Sequence, residues 1–143
     1  MENTGLTTIG RIAIGADGFP VIVYMNNAQR GLKLIHCGDI ACTAGNTTTD
    51  LDSIYPFADI AIGSDGLPIL SHRESAGELK IFHCGDPACT GGNTDYILDQ
   101  YVAPDIEIAI GVDGLPLLSY VRGPYELIIA HCGDMRCSTA LLK

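Results

Sequence analysis

The sequence predicts an all-β protein made of three copies of one unit. The segment Ile-Ala-Ile-Gly-Ala-Asp-Gly-Phe-Pro at 12–20 returns in similar form at 60–68 and 108–116, with the three Asp residues 48 positions apart. A block His-Cys-Gly-Asp-x-x-Cys follows in each copy. No window shows sustained apolar spacing typical of a helix. A fixed period of about 48 residues indicates a stack or ring of one supersecondary unit.

Each copy reads as four short strands separated by turn signals. The Asp-Gly pair favours a tight turn after the first strand, because Gly accepts positive φ. The next segments are β-branched or aromatic, as strands prefer. In the first copy the strands are expected at 12–14, 21–24, 32–37 and 46–52, with a polar loop at 26–31.

The period also predicts how the chain is organised. We expect one domain over 1–143, with repeats at about 1–52, 53–99 and 100–143. The inner strands are apolar on both faces, which is typical of a sheet packed between two other sheets, as in a propeller blade. Known propellers have about four to eight blades, so three blades predict a homodimer that forms a six-bladed ring. The alternative is a β-trefoil, which would close as a monomer.

The chain termini carry two further candidate strands. The segments 3–9 and 138–142 both have the character of edge strands. One of them could complete a blade of the other chain, which would remove an exposed edge.

Six cysteines fall in three pairs with a spacing of five residues, and we expect the disulfides Cys37–Cys42, Cys84–Cys89 and Cys132–Cys137. If the intervening residues form a hairpin loop, the two Cβ atoms come within the distance a disulfide needs. Free thiols and a metal site are the alternatives. Metal is disfavoured because the adjacent His and Cys point to opposite faces of a strand. We therefore predict no metal site and no cofactor.

Composition and charge narrow the partners and the compartment. The net charge is −9, from 17 acidic and 8 basic residues, which disfavours nucleic acid and anionic membranes. No apolar run reaches the length of a membrane helix. The first residues lack the basic and apolar regions of a signal peptide, whereas the paired cysteines indicate a secreted or periplasmic protein. The compartment stays open at this point.

The repeat as a whole resembles the tandem repeats of bacterial secreted β-propeller-like proteins, which have no agreed chemistry. The motifs that carry the resemblance are Ile-Ala-Ile-Gly-x-Asp-Gly-x-Pro, Leu-Lys and Cys-Gly-Asp-x-x-Cys, and they cover nearly all the chain. The resemblance implies propeller-type blades and adds almost nothing on activity.

The polar residues divide into repeated ones and divergent ones. The repeated His36, His83 and His131 are expected to bond to a neighbouring loop, and the repeated Asp residues to make the turns and to cap the cysteine hairpins. A ring of histidines that binds an anion or metal is the alternative. The loops at 26–31, 71–77 and 120–125 diverge most, as a ligand-reading face does.

We therefore expect a non-catalytic module that binds a ligand or protein partner. A lectin-like carbohydrate binder and a sialidase-like glycoside hydrolase are the alternatives, and the balance is against an enzyme. No nucleophile-base spacing or phosphate loop is present, and three loop arginines are only weakly similar to a sialidase clamp. The candidate ligand-binding residues are Arg30, His72, Arg73, Tyr120 and Arg122.

Overall fold

The computed structural model describes residues 7–26, 31–51 and 58–143, and these form three four-stranded antiparallel sheets without a helix. In each sheet the strands pair in chain order. Sheet 1 contains β1 (Thr7–Ile14), β2 (Pro20–Asn26), β3 (Gly31–His36) and β4 (Thr47–Asp50). Sheet 2 contains β5 (Ala58–Ile62), β6 (Pro68–Arg73), β7 (Leu79–His83) and β8 (Thr94–Asp99). Sheet 3 contains β9 (Val102–Ile110), β10 (Pro116–Arg122), β11 (Glu126–Cys132) and β12 (Ala140–Leu142).

Strand pairing stays within each repeat in the described part of the chain. The C-terminal strand follows this pattern, because Ala140 pairs with Cys132 of the neighbouring β11. The expectation that 138–142 could complete a blade of another chain is therefore wrong for 140–142, which complete their own sheet. The expected strand at 3–9 lies partly outside the described residues, and its described part belongs to β1.

The sheets pack face to face, with their first strands side by side: β1 contacts β5, and β5 contacts β9. We call the face of a sheet that points towards the next sheet in the chain its forward face, and the opposite one its backward face. One apolar cluster joins the forward face of sheet 1 to the backward face of sheet 2 through Val21, Val23, Leu34, Ile60, Leu70 and Phe82. A second joins the forward face of sheet 2 to the backward face of sheet 3 through Ile69, Leu79, Ile81, Ile108, Leu118 and Ala130.

The apolar side chains of a sheet are most deeply buried on a face that a neighbouring sheet covers. In sheet 2 the strand β6 is buried on both faces, as the sequence predicts for inner strands. In sheet 3 burial alternates along β10 and β11, with Leu117, Leu127 and Ile129 exposed on the forward face. On the backward face of sheet 1, Ile12 and Ile14 are exposed. The array of three sheets thus carries an apolar face at each end.

Because every sheet is an up-and-down meander, the connections gather at two ends of the molecule. The turn end holds the Asp-Gly turns between first and second strands and the cysteine loops between third and fourth strands. The loop end holds the described connections between second and third strands and the crossing from sheet 2 to sheet 3. The repeated residues lie at the turn end, and the divergent loops 71–77 and 120–125 lie at the loop end. Most of the third divergent loop, 27–30, lies outside the described residues.

Candidate functional site

At the turn end, each Asp-Gly turn is bonded to the histidine of its own repeat. In the first repeat, one carboxylate oxygen of Asp17 accepts the Phe19 N–H at 3.0 Å, and the other lies 2.8 Å from Nε2 of His36. The backbone bond to Phe19 and the charge of His36 hold the pKa of Asp17 below its usual range. The Asp65–His83 and Asp113–His131 pairs repeat this contact at 2.7 Å. The histidines thus bond to neighbouring loops, as predicted.

The Asp-Gly turns need glycine for a backbone reason. The glycines of the three turns adopt φ of 83°, 81° and 81° at Gly18, Gly66 and Gly114. An L-residue reaches this region only at a cost, so the dipeptide fixes the turn and presents the Asp side chain to the histidine.

The predicted disulfides Cys37–Cys42, Cys84–Cys89 and Cys132–Cys137 are all formed, and no described cysteine is free. The hairpin expected around them is wrong in detail. The second cysteine of each pair lies in a turn with positive φ, and the next strand starts several residues later. Each disulfide therefore closes a compact loop at the end of the third strand. Three disulfides are typical of proteins from an oxidising environment.

An Asp side chain organises each cysteine loop from within. Asp39 accepts the N–H groups of Ala41, Thr43 and Ala44 and the hydroxyl of Thr43. The Thr43 hydroxyl and these backbone donors lower the pKa of Asp39 to about 2. Asp86 and Asp134 cap their loops in the same manner. These hydrogen bonds confirm the predicted capping role.

An asparagine that also holds the cysteine loop together was not predicted from the sequence. The Oδ1 of Asn46 accepts the Gly38 N–H, and its Nδ2 donates to the Cys42 carbonyl. Asn93 makes the same two bonds in the second repeat. In the sequence, this asparagine could have been recognised by the Gly-Asn pair that follows the second cysteine in the first two repeats. The third repeat lacks this pair.

At the loop end, three of the predicted ligand-binding residues meet around the crossing from sheet 2 to sheet 3. The Tyr120 hydroxyl donates to Asp99 Oδ2 at 2.8 Å, and Arg122 Nη1 lies 3.4 Å from the same oxygen. Arg73 donates from Nε to the Val102 carbonyl at 2.7 Å. Burial and the bond to Asp99 raise the pKa of Tyr120 well above its usual value.

The other two predicted residues are not part of this cluster. His72 is buried on the backward face of sheet 2, where Nδ1 lies 3.6 Å from Glu74 without a hydrogen bond. Burial lowers the pKa of His72, so its neutral form is favoured. Lys80 lies 3.7 Å from Glu74 and from Asp95, so this corner is an ion-pair network. Arg30 lies outside the described residues.

Two exposed tyrosines beside this cluster were not among the predicted site residues. Tyr101 is 76% exposed and has a φ of 61°, which is rare for a tyrosine. Its carbonyl accepts the Gly123 N–H at 2.9 Å, and the next residue, Val102, donates its N–H to the Gly77 carbonyl at 2.8 Å. The crossing from sheet 2 to sheet 3 is thereby hydrogen-bonded to two of the divergent loops, 71–77 and 120–125. Tyr125, in the second of them, is 93% exposed.

Within 7–26, 31–51 and 58–143, no group of three or more His, Cys, Asp or Glu side chains is placed to hold a metal ion. The same residues contain no helix long and apolar enough to span a membrane. Compared with known proteins, the chain matches no family model and no curated protein sequence.

Proposed function

We propose that this protein is a non-catalytic binding module built from propeller-type blades, and that the loop end is its ligand face. One observation carries the proposal: backbone hydrogen bonds from Gly123 to Tyr101 and from Val102 to Gly77 join two divergent loops around an exposed tyrosine. Strained residues that the surrounding structure holds in place concentrate at ligand contacts. Exposed aromatic rings beside hydrogen-bonding groups suit a carbohydrate or a protein loop.

The ionisable groups support binding rather than catalysis. The three Asp–His pairs occur once in every repeat, as expected of residues that serve the repeating unit. Arg122 is held by Asp99 and Glu126, and its Nη2 lies 3.0 Å from Glu126. An anionic sugar would have to compete with both carboxylates. This weighs against the sialidase-like alternative, in which arginines clamp a substrate carboxylate.

The assembly we propose is a homodimer in which two sets of three blades make a six-bladed ring. The up-and-down order of each four-stranded sheet is that of a blade. A trefoil would need strand pairs between repeats to close its barrel, and the described strands pair only inside their own repeat. The three disulfides support a secreted or periplasmic location.

A glycan array with three forms of the protein tests the ligand face. We expect the unchanged protein to bind a subset of glycans and the Tyr125→Ala variant to lose at least tenfold in affinity. Tyr96→Ala is the matched control, because Tyr96 is an exposed tyrosine on the outer strand β8. Equal loss in both variants, or no binding to glycans or to proteins captured from the native source, would contradict the loop end as a ligand face. Turnover of chromogenic glycosides would instead establish the hydrolase.

A further inference from the structure

In sheets 1 and 2 the next sheet in the chain covers the forward face, whereas the forward face of sheet 3 is exposed. Forward-face residues of sheets 1 and 2 are buried by the next sheet, as Leu34 and Ile81 show. The equivalent residue of sheet 3 is Ile129, which is 39% exposed although its two counterparts are fully buried. Conversely, Ile60 and Ile108 are buried on backward faces, whereas their equivalent Ile12 is 64% exposed. Each bare face therefore has the chemistry of a face that already has a partner inside the chain.

The Asp-Gly turns of neighbouring repeats also contact each other in chain order. A Cβ placed on Gly66 would lie 3.0 Å from Cβ of Ala16, and one on Gly114 would lie 3.2 Å from Cβ of Ser64. The residue before each Asp thus touches the turn glycine of the next repeat. The third such residue is Val112, which is fully exposed. The first turn glycine, Gly18, has no described atom within 4 Å of its Cβ position.

A charged residue also occupies the equivalent position in the first strand of each repeat. Arg11, Asp59 and Glu107 are repeat equivalents on forward faces. Arg11 lies 3.7 Å from Asp59, and Asp59 accepts the Ile108 N–H at 2.9 Å. Glu107 is the third member of the series; burial and the charge and hydrogen bond of Asp59 raise its pKa, and the charge of Arg11 in the same chain lowers it. An arginine at the position of Arg11 in a next repeat would neutralise it.

We propose that the forward face of sheet 3 docks on the backward face of sheet 1 of a second copy of this chain, with Val112 against Gly18 and Glu107 beside Arg11. This inference rests on the proposed homodimer and specifies its contact as head-to-tail. A two-fold axis makes the contact twice, so neither apolar face remains exposed. A head-to-tail contact forms a ring when its rotation closes, and six blades lie within the known range.

Single cysteines at the two positions test this geometry. The variants Val112→Cys and Gly18→Cys are prepared separately, oxidised mildly alone and as a mixture, and examined by non-reducing electrophoresis with peptide mapping. We expect a covalent dimer only in the mixture, bridged between positions 18 and 112. The in-chain control is Ser64→Cys with Gly114→Cys, which should form a bridge within one chain. Cysteine tolerates positive φ in this protein, as Cys42, Cys89 and Cys137 show.

Two substitutions on opposite faces give an independent readout. Ile129→Asp and Ile12→Asp should each reduce the native mass from dimer to monomer, because a head-to-tail contact uses both faces. An unchanged protein that is monomeric throughout would overturn the proposed dimer itself. A dimer that only one of these substitutions disrupts, or that cross-links in a single cysteine variant alone, would overturn the head-to-tail contact and leave the dimer standing.

Discussion

Sheets 2 and 3 are built from the same repeat and differ in what surrounds them. Ile81 in sheet 2 is fully buried, and its equivalent Ile129 in sheet 3 is 39% exposed. The backbone pairing of the two strands is alike, because β7 and β11 both lie third in their sheets. Burial is therefore set by the neighbouring sheet and not by the repeat. Ile129 therefore keeps the chemistry of Ile81 and lacks the neighbouring sheet that buries Ile81.

The largest expected effect contrasts these two isoleucines. Ile81→Ala should lower the free energy of unfolding by about 3 kcal/mol, because it leaves a cavity in a closed core. Ile129→Ala should cost less than about 0.5 kcal/mol when measured on the dilute monomer, because solvent already reaches the side chain. Urea unfolding of both variants at the same low concentration measures the difference. Equal losses of unfolding free energy would mean that the two side chains are equally buried, which would contradict the difference between sheets 2 and 3.

The disulfides provide a second contrast of the same kind. Cys84 and Cys89 are both buried in the apolar cluster between sheets 1 and 2, whereas in the equivalent pair Cys37 is buried and Cys42 is only half-buried. Replacing both cysteines with alanine should cost about 2 kcal/mol in the second repeat and about 1 kcal/mol in the first, since short loops confer little entropic gain and packing makes the difference. Thermal unfolding of the two double variants under oxidising conditions checks this order. A larger loss in the first repeat would contradict it.

The smallest expected effect concerns the pKa of the Asp residue in each cysteine loop, which should respond in the same way in sheets 1 and 2. The pKa of Asp39 in the folded protein is about 2, below its ordinary value of 3.8, so the charged form stabilises the fold above about pH 4. That contribution is lost as the pH falls from about 4 to 2. Thr43→Val should raise the pKa of Asp39, because it removes the hydroxyl donor. Carboxyl NMR titration measures the shift.

The second repeat supplies the control for this titration. Against the raising effect of burial, hydrogen bonds from Thr90 lower the pKa of Asp86. Thr90→Val should therefore raise the pKa of Asp86 in the same direction and leave Asp39 unchanged. Opposite shifts in the two repeats would show that the neighbouring sheet, rather than the loop, sets these values.

Local chemistry explains which features could be predicted from the sequence. The strands, the Asp-Gly turns, the disulfides and the capping role of Asp39 depend on residues within one repeat, so the repeat pattern was enough. The hairpin around Cys42 was wrong because its positive φ is imposed by the compact loop. Only some of the residues in the loop-end cluster were predicted. Asp99 and Val102 bring together Arg73, Tyr120 and Arg122. Asp99 is the last residue of β8, and Val102 is the first residue of β9 in the next sheet.

Residues whose role depends on the packing of sheets could not be predicted. Tyr101 had no repeat equivalent to suggest its strained backbone, and its hydrogen bond to Gly123 connects segments that are distant in sequence. His72 was a candidate ligand-binding residue, but it is buried beside the Glu74–Lys80 ion pair. The exposure of Ile12 and Ile129 likewise depends on which sheets lie alongside.

Sedimentation of the unchanged protein at micromolar to millimolar concentration tests the central claim most directly. The chain has a mass of 15.1 kDa, and a head-to-tail ring of two chains predicts a single species of about twice that mass, without higher oligomers. A closed ring leaves neither apolar face available to a third chain. A species of one chain mass across the whole range, or open chains that lengthen with concentration, would contradict the account.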